Sequence, residues 1–246
     1  MKEIELPIEV HEASPLKPDF KRLGKMLLLL IWFIVWSYIL LIILSWFLVK
    51  SISIEEEKKL FTWFFETHEK FEFEKLSHQF EIPYEVYISD DSQANAYALP
   101  GAIIYVTQGL LEEIKYEEEL IFIIWHEIAH IENRDVLKKV SKELPFRFVL
   151  TSLGLDTGFS GVSLWDISWN HSSQITEKQA DVWGINLINS LWLNLNCAVW
   201  FFERSLWEDT QLTKFLSTHP SNQSRIDTIK DSVEFEGECS DFTYEK

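Results

Sequence analysis

The stretch from Glu117 to Lys139, EEELIFIIWHEIAHIENRDVLKK, decides how the rest of the chain is read. It contains no Gly or Pro, and Leu120, Ile121, Ile124, Ile128 and Ile131 recur at the spacing of one helix face. A buried helix is therefore predicted. On it His126 and His130 stand four residues apart, so both imidazoles face the same way and can share one zinc ion. Zinc takes neutral imidazole nitrogens, and a catalytic zinc site keeps one position open for a water whose pKa the metal lowers to about 7. Glu127 stands where a general base would take that water's proton. The same five residues also suit two core histidines beside a surface glutamate, so the surroundings have to decide.

Downstream, Glu177-Lys178-Gln179-Ala180-Asp181 opens a second apolar helical run and puts Glu177 and Asp181 one turn apart. A site built on two histidines and a glutamate takes its third ligand from another helix, and ligating histidines usually donate their second N–H to a carboxylate or carbonyl. Glu177 suits the ligand and Asp181 the support. Read alone, both are acidic residues at a solvated helix start, favoured by the helix dipole. A third cluster, Thr218-His219-Pro220-Ser221-Asn222-Gln223-Ser224-Arg225, reads as a loop-to-helix junction. His219 could donate to the oxyanion formed when water attacks a carbonyl, and Arg225 could orient it or bind substrate. Alone, that segment is a helix cap.

In this order the clusters resemble the HtpX-type and BepA-type gluzincin metallopeptidases. A fourth segment, from Asn95 to Thr107, resembles that family's NAFALPGG strand, departing from it at Ala102, where many members carry a second glycine. The likeness runs from residue 84 to residue 230. It implies an α+β fold, a mostly helical metallopeptidase domain with a small sheet whose edge is formed by the strand before the zinc helix. It further implies one zinc ion held by His126, His130 and Glu177, with Glu127 as base and acid, His219 as transition-state stabiliser, and Asp181 and Arg225 in support. Polypeptides, in particular misfolded or damaged envelope proteins, are the implied substrates.

After the Pro100-Gly101 turn, Ile103 to Val106 is a short run of strand formers. An unpaired edge there would accept an extended peptide as a further strand, with Asn95, Ala96 and Ala98 as substrate-binding positions and with broad sequence selectivity. A structural edge with no ligand fits the same residues.

Residues 26 to 49, MLLLLIWFIVWSYILLIILSWFLV, carry no charge. At 1.5 Å per residue they cover about 36 Å, more than the roughly 30 Å hydrocarbon core and too little for a two-helix hairpin. One crossing and contact with membrane lipid follow. The apolar region is too long for a cleaved signal peptide, and no small-residue cleavage site follows it. Lys17, Lys21, Arg22 and Lys25 precede the span against Lys50, Lys58 and Lys59 behind it. That bias favours a cytoplasmic N-terminus with the catalytic domain outside the cytoplasm, the reverse placing that domain in the cytoplasm. Cys197 and Cys239 permit one disulfide in an exported domain, or stand as two thiols.

The expected organisation is a tail over 1–25, the anchor over 26–49, one metallopeptidase domain over 50–232, and a mobile acidic tail over 233–246. Residues 51–80 read as one or two amphipathic helices packed on the core through Leu60, Phe61 and their aromatic neighbours. Residues 146–169 carry Arg147, Asp156 and Asp166, which suits a cleft-covering loop better than a span. Residues 182–202 read as one buried helix. A net charge of -17 argues against nucleic acid as a partner. Oligomeric state leaves no trace in the sequence. Two other function classes stay open. One is a latent or non-catalytic zinc-stabilised scaffold that holds extended clients. The other is a prenyl-protein protease, for which one span builds no intramembrane chamber.

Overall fold

The computed structural model describes residues 19–61, 70–71, 82–141, 173–207, 219 and 223–244. In chain order these form α1 (Phe20–Ser51), α2 (Ile54–Phe61), β1 (Glu85–Ser89), β2 (Ala96–Leu99), β3 (Ile103–Thr107), α3 (Gln108–Glu113), α4 (Glu117–Glu132), α5 (Gln174–Ser190), α6 (Leu195–Trp207) and α7 (Gln223–Lys230). Residues 135–141 are also helical. The fold is mostly helical, with one small mixed sheet and an apolar helix ahead of both. Of the expected tail over 1–25, residues 1–18 lie outside the described residues and residues 20–25 open α1 instead. The cleft cover over 146–169 and residues 62–69 and 72–80 also lie outside them, while Lys70 pairs as a bridge with Tyr87 of β1 rather than standing in a second helix.

Among the described residues, α1 alone is long and apolar enough to cross a membrane. Its 32 residues include the uncharged run and end on Lys50 and Ser51. Next, α2 starts on a reciprocal cap. The Ser53 hydroxyl accepts from the Glu56 amide at 3.2 Å, while Glu56 accepts from the Ser53 amide at 2.8 Å.

The sheet has the order β1-β3-β2, with β1 parallel to β3 and β2 antiparallel to it. This corrects the expectation of an unpaired edge over residues 103–106. Strand β3 lies in the middle, bonded on both sides and buried throughout, as an Ile-Ile-Tyr-Val run apolar on both faces requires. The outer strands are β1 and β2, and Lys70 bridges to Tyr87 on β1. One face of the sheet sends Val86, Ile88, Ala96, Ala98, Ile104 and Val106 into the main core. The other stacks Tyr87 and Tyr97 on Tyr105, with centroids 5.7 and 5.8 Å apart, and takes Phe61 of α2. The turn joining β2 to β3 passes through Gly101 at φ 95° and Ala102 at φ 58°. Both angles are left-handed, which explains why a glycine suits position 102 and makes Ala102 a locally strained choice.

Helix α4 runs through the centre, packed on β2, α5 and α6. The approach of α5 is close: a Cβ on Gly184 would stand 2.8 Å from the Phe122 ring. The expected single helix over 182–202 is instead two, α5 and α6, divided by a turn in which Trp192 has φ 59°. Asn194 accounts for the break, since its side chain accepts from the Asn196 amide at 3.0 Å and so caps α6. Residues 233–244 are not a free tail. Cys239 is disulfide-bonded to Cys197 on α6, the Glu117 amide donates to the Ser240 carbonyl, and the Phe242 amide donates to that of Lys115.

Candidate active site

The site forms where α4, α5, β2 and the segment before α7 converge. Because α4 is apolar on several faces, it is buried nearly all round, and His126, Glu127 and His130 are carried into the interior with it. All three are 4% exposed or less, and Glu177 is fully buried. Isolated polar groups do not survive there, so each must find partners.

They do. His126 Nδ1 lies 3.0 Å from Asp181 Oδ1, and His130 Nδ1 lies 3.1 Å from Asp135 Oδ2. An ionised carboxylate only accepts, so in each ring Nδ1 carries the proton and Nε2 presents a lone pair. The two Nε2 atoms then face each other at 3.2 Å. Glu177 completes the cluster, with Oε2 3.2 Å from His126 Nε2 and Oε1 3.4 Å from His130 Nε2. Two lone pairs and a carboxylate converging in a buried site favour a positive charge between them, which a proton or a metal cation can supply.

These separations fit zinc. Ligand atoms about 2.0 to 2.1 Å from a tetrahedral ion stand about 3.3 Å from one another. Glu177 Oε1 and Glu127 Oε1 are both buried without a hydrogen-bond partner, as ligand and base atoms directed at a shared ion and water would be. The electrostatics agree. Burial disfavours charge on His130, yet Asp135, Glu177 and Glu127 outweigh it and raise its pKa to about 10. Burial likewise opposes a charge on Glu177, and the surrounding histidines and Arg225 nevertheless hold it far below the usual carboxylate range. A field that attracts a proton to these nitrogens attracts a metal cation equally.

Sequence-predicted residues meet here in one cluster. His219 Nδ1 stands 3.3 Å from Glu177 Oε2, and its Nε2 stands 3.3 Å from the Ala96 carbonyl and 3.4 Å from Glu127 Oε1. Ligand atoms of His126, His130, Glu177 and His219 all lie within 4.8 Å of one another. Arg225 is almost wholly buried, grips Asp181 with two bonds of 2.7 Å and lies 3.1 Å from Glu177. It therefore braces Asp181 and Glu177 together, a structural role beyond orienting His219. On β2, the Ala98 amide donates to Glu127 Oε2 at 2.8 Å. Asn95 lies just outside the site, its amide donating to the Thr107 hydroxyl.

Asp135 was not foreseen. It lies five residues after His130, beyond the helix face that periodicity marks. Arg134, at φ 59°, turns the chain so that Asp135 comes back onto the imidazole. A carboxylate on the turn after the helix that carries both histidines was the available signal.

The description Peptidase family M48 matches residues 66–233, a segment that holds every residue of this cluster. Mitochondrial metalloendopeptidase OMA1 of Schizosaccharomyces pombe is 28% identical over 159 residues, covering 61% of this chain and 47% of that protein. OMA1 of Arabidopsis thaliana is 30% identical over 154 residues, covering 61% of this chain and 31% of its own. A protease HtpX homolog of Pyrococcus abyssi is 39% identical over 101 residues, covering 39% of this chain and 32% of its own. The chain thus spans about half or less of the length of these relatives. With more than half of its own residues matched, and with the whole histidine and glutamate cluster inside the match, it belongs to peptidase family M48.

Proposed function

We infer that the chain is a membrane-anchored zinc endopeptidase in which His126, His130 and Glu177 hold the metal. The observation that carries this is the pair of imidazole lone pairs facing each other at 3.2 Å beside Glu177, with both Nδ1 protons fixed by carboxylates. When bound, zinc supplies a Lewis acid that polarises a carbonyl and brings a water's pKa near 7. Glu127 takes the proton from that water and passes it to the leaving amine, and the Ala98 amide fixes the carboxylate's orientation. His219, next to Glu127 and to the Ala96 carbonyl, donates to the oxyanion.

Substrate enters as an extended strand along β2, where the Ala96 carbonyl and Ala98 amide point away from β3 toward His219 and Glu127, whereas both backbone groups of Asn95 are bonded to Thr107 and leave it a structural part of the strand. Backbone recognition favours unfolded or damaged proteins over a fixed cleavage motif. Family likeness points to envelope or membrane proteins. The Cys197–Cys239 disulfide supports a domain outside the cytoplasm and a cytoplasmic N-terminus, since such bonds persist in oxidising compartments.

Incubating the full chain in detergent with dye-labelled casein, beside Glu127→Gln and with zinc measured in both, tests the reading. Cleavage by the parent alone, with equal zinc, is expected. A folded, zinc-loaded parent that leaves casein intact would replace it with the zinc-stabilised scaffold.

A further inference from the structure

Three glutamates in succession open α2, and they have different fates. Glu55 is exposed and Glu56 folds back onto Ser53, but Glu57 is 5% exposed. A carboxylate that far from water has to be paired. Its two oxygens go to two different elements of the catalytic unit. Oε1 accepts from the Gly101 amide at 2.9 Å, and Oε2 lies 2.5 Å from Arg134 Nη1. Arg134 Nη2 in turn donates to the Ile52 carbonyl at 2.7 Å, in the linker that leaves the membrane helix.

Each of those contacts leads to the metal site in a few residues. Gly101 sits in the turn that ends β2, three residues after Ala98, whose amide holds Glu127. The same turn is pressed against α2, where a Cβ on Gly101 would come within 2.8 Å of Phe61 Cβ. Arg134 occupies the left-handed turn after α4, and the next residue, Asp135, orients His130. Glu57 is thus joined through one side chain to the strand that orients the base and to the turn that orients a metal ligand. It also lies outside the family-matched segment of residues 66–233.

We propose that Glu57 is a positioning residue for hydrolysis, which sets β2 and the turn after α4 in register from the membrane side. The proposal rests on the zinc endopeptidase reading. Through Ile52, it makes the linker behind the membrane helix a working part of the site.

The test compares Glu57→Gln, Glu57→Ala and the exposed control Glu55→Gln, each as full chain in detergent. Casein cleavage, zinc dissociation constant and melting temperature are measured for each. Glu57→Gln keeps an acceptor for Gly101 and loses the charge facing Arg134. It is expected to lower kcat about tenfold and to weaken zinc binding by a similar factor, the low end for a group acting through a ligand's partner. KM should rise no more than about twofold, because backbone pairing along β2 survives. Glu57→Ala, which loses both contacts, should lower kcat about 100-fold. Glu55→Gln should match the parent.

Parent-like kcat and zinc affinity in Glu57→Gln would overturn the proposal. So would a lower melting temperature alone, with turnover and zinc affinity unchanged below it, since that assigns Glu57 to stability only. A parent that binds zinc without cutting casein would sink the hydrolase reading, and zinc affinity would then decide on Glu57.

Discussion

Helices α1 and α4 are both dominated by Ile, Leu and aromatic residues, and they have opposite surroundings. Along α1 the large apolar side chains are open, with Leu28 68% and Leu40 65% exposed. Along α4 only Trp125 and Glu132 escape burial. The difference lies in the charges. Helix α1 has none between Lys25 and Lys50, so no charge on it needs a partner and lipid can cover most of it, with Ser45, which donates to the Ser141 carbonyl at 3.0 Å, marking a contact with the rest of the chain. Helix α4 carries acids and histidines into the core, and each is met by a designated group. Glu119 receives Arg204 at 2.7 and 2.9 Å, Glu118 accepts from Ser240, and the histidines take Asp135, Asp181 and Glu177. A charge-free apolar helix marks an anchor. An apolar helix with paired charges marks a site.

The sharpest way to break that contrast is to remove the one α4 charge whose proposed use is chemical. Glu127→Gln keeps size and keeps an acceptor for the Ala98 amide, but cannot take a proton. Casein cleavage should fall by about 10² to 10⁴, the usual worth of a general base, with zinc retained. Activity that survives while zinc is lost would contradict both assignments. Next in size is the disulfide that holds the C-terminal segment against the start of α4. Serine at both Cys197 and Cys239 opens a loop with a sequence separation of 42. Chain-entropy reasoning gives a loss of about 4 kcal/mol, read from denaturant midpoints. An unchanged midpoint would mean the segment is held by its backbone bonds alone.

Asp135→Ala probes the pairing itself. His130 would lose the acceptor that fixes its proton on Nδ1, and zinc affinity should weaken about 10- to 100-fold by competition with a chelator. Asp135→Asn, which retains an acceptor oxygen, should recover most of it. An Ala variant with parent affinity would remove Asp135 from the site.

How much of this was legible follows from the range over which each signal acts. The helix of His126 and His130 was readable because apolar period and histidine spacing are properties of one continuous helix. Glu177 and Asp181 were readable for the same reason, one turn apart on α5. Sheet order was not: Ile103 to Thr107 looks equally like an edge or a centre until β1 is known to pair on its other side, a long-range fact. Breaking 182–202 into two helices depended on a single Asn194 cap inside an apolar run. Asp135 and Glu57 were missed because their partners are set by left-handed turns at Arg134 and Gly101, and the sequence marks only the second with a glycine. Residues 233–244 looked like a solvated tail, since the bonds that hold them come from elements far away along the chain.

The smallest expected effect tests the comparison most directly, because the same deletion is made in both helices. Ile124 on α4 is fully buried, and Ile43 on α1 is 58% exposed. Truncating Ile124 to Ala leaves a cavity among Leu, Phe and Ile neighbours that cannot close, and should cost about 2 to 5 kcal/mol. Truncating Ile43 removes atoms that are mostly open to the surroundings of the helix. Domain stability, followed by melting in detergent, should then change by less than about 0.5 kcal/mol. A substantial loss from Ile43→Ala would mean that α1 packs on protein at that depth, and the helix would no longer be a bare anchor. Equal, small losses from both substitutions would place α4 outside a close-packed core, which the histidine geometry does not allow.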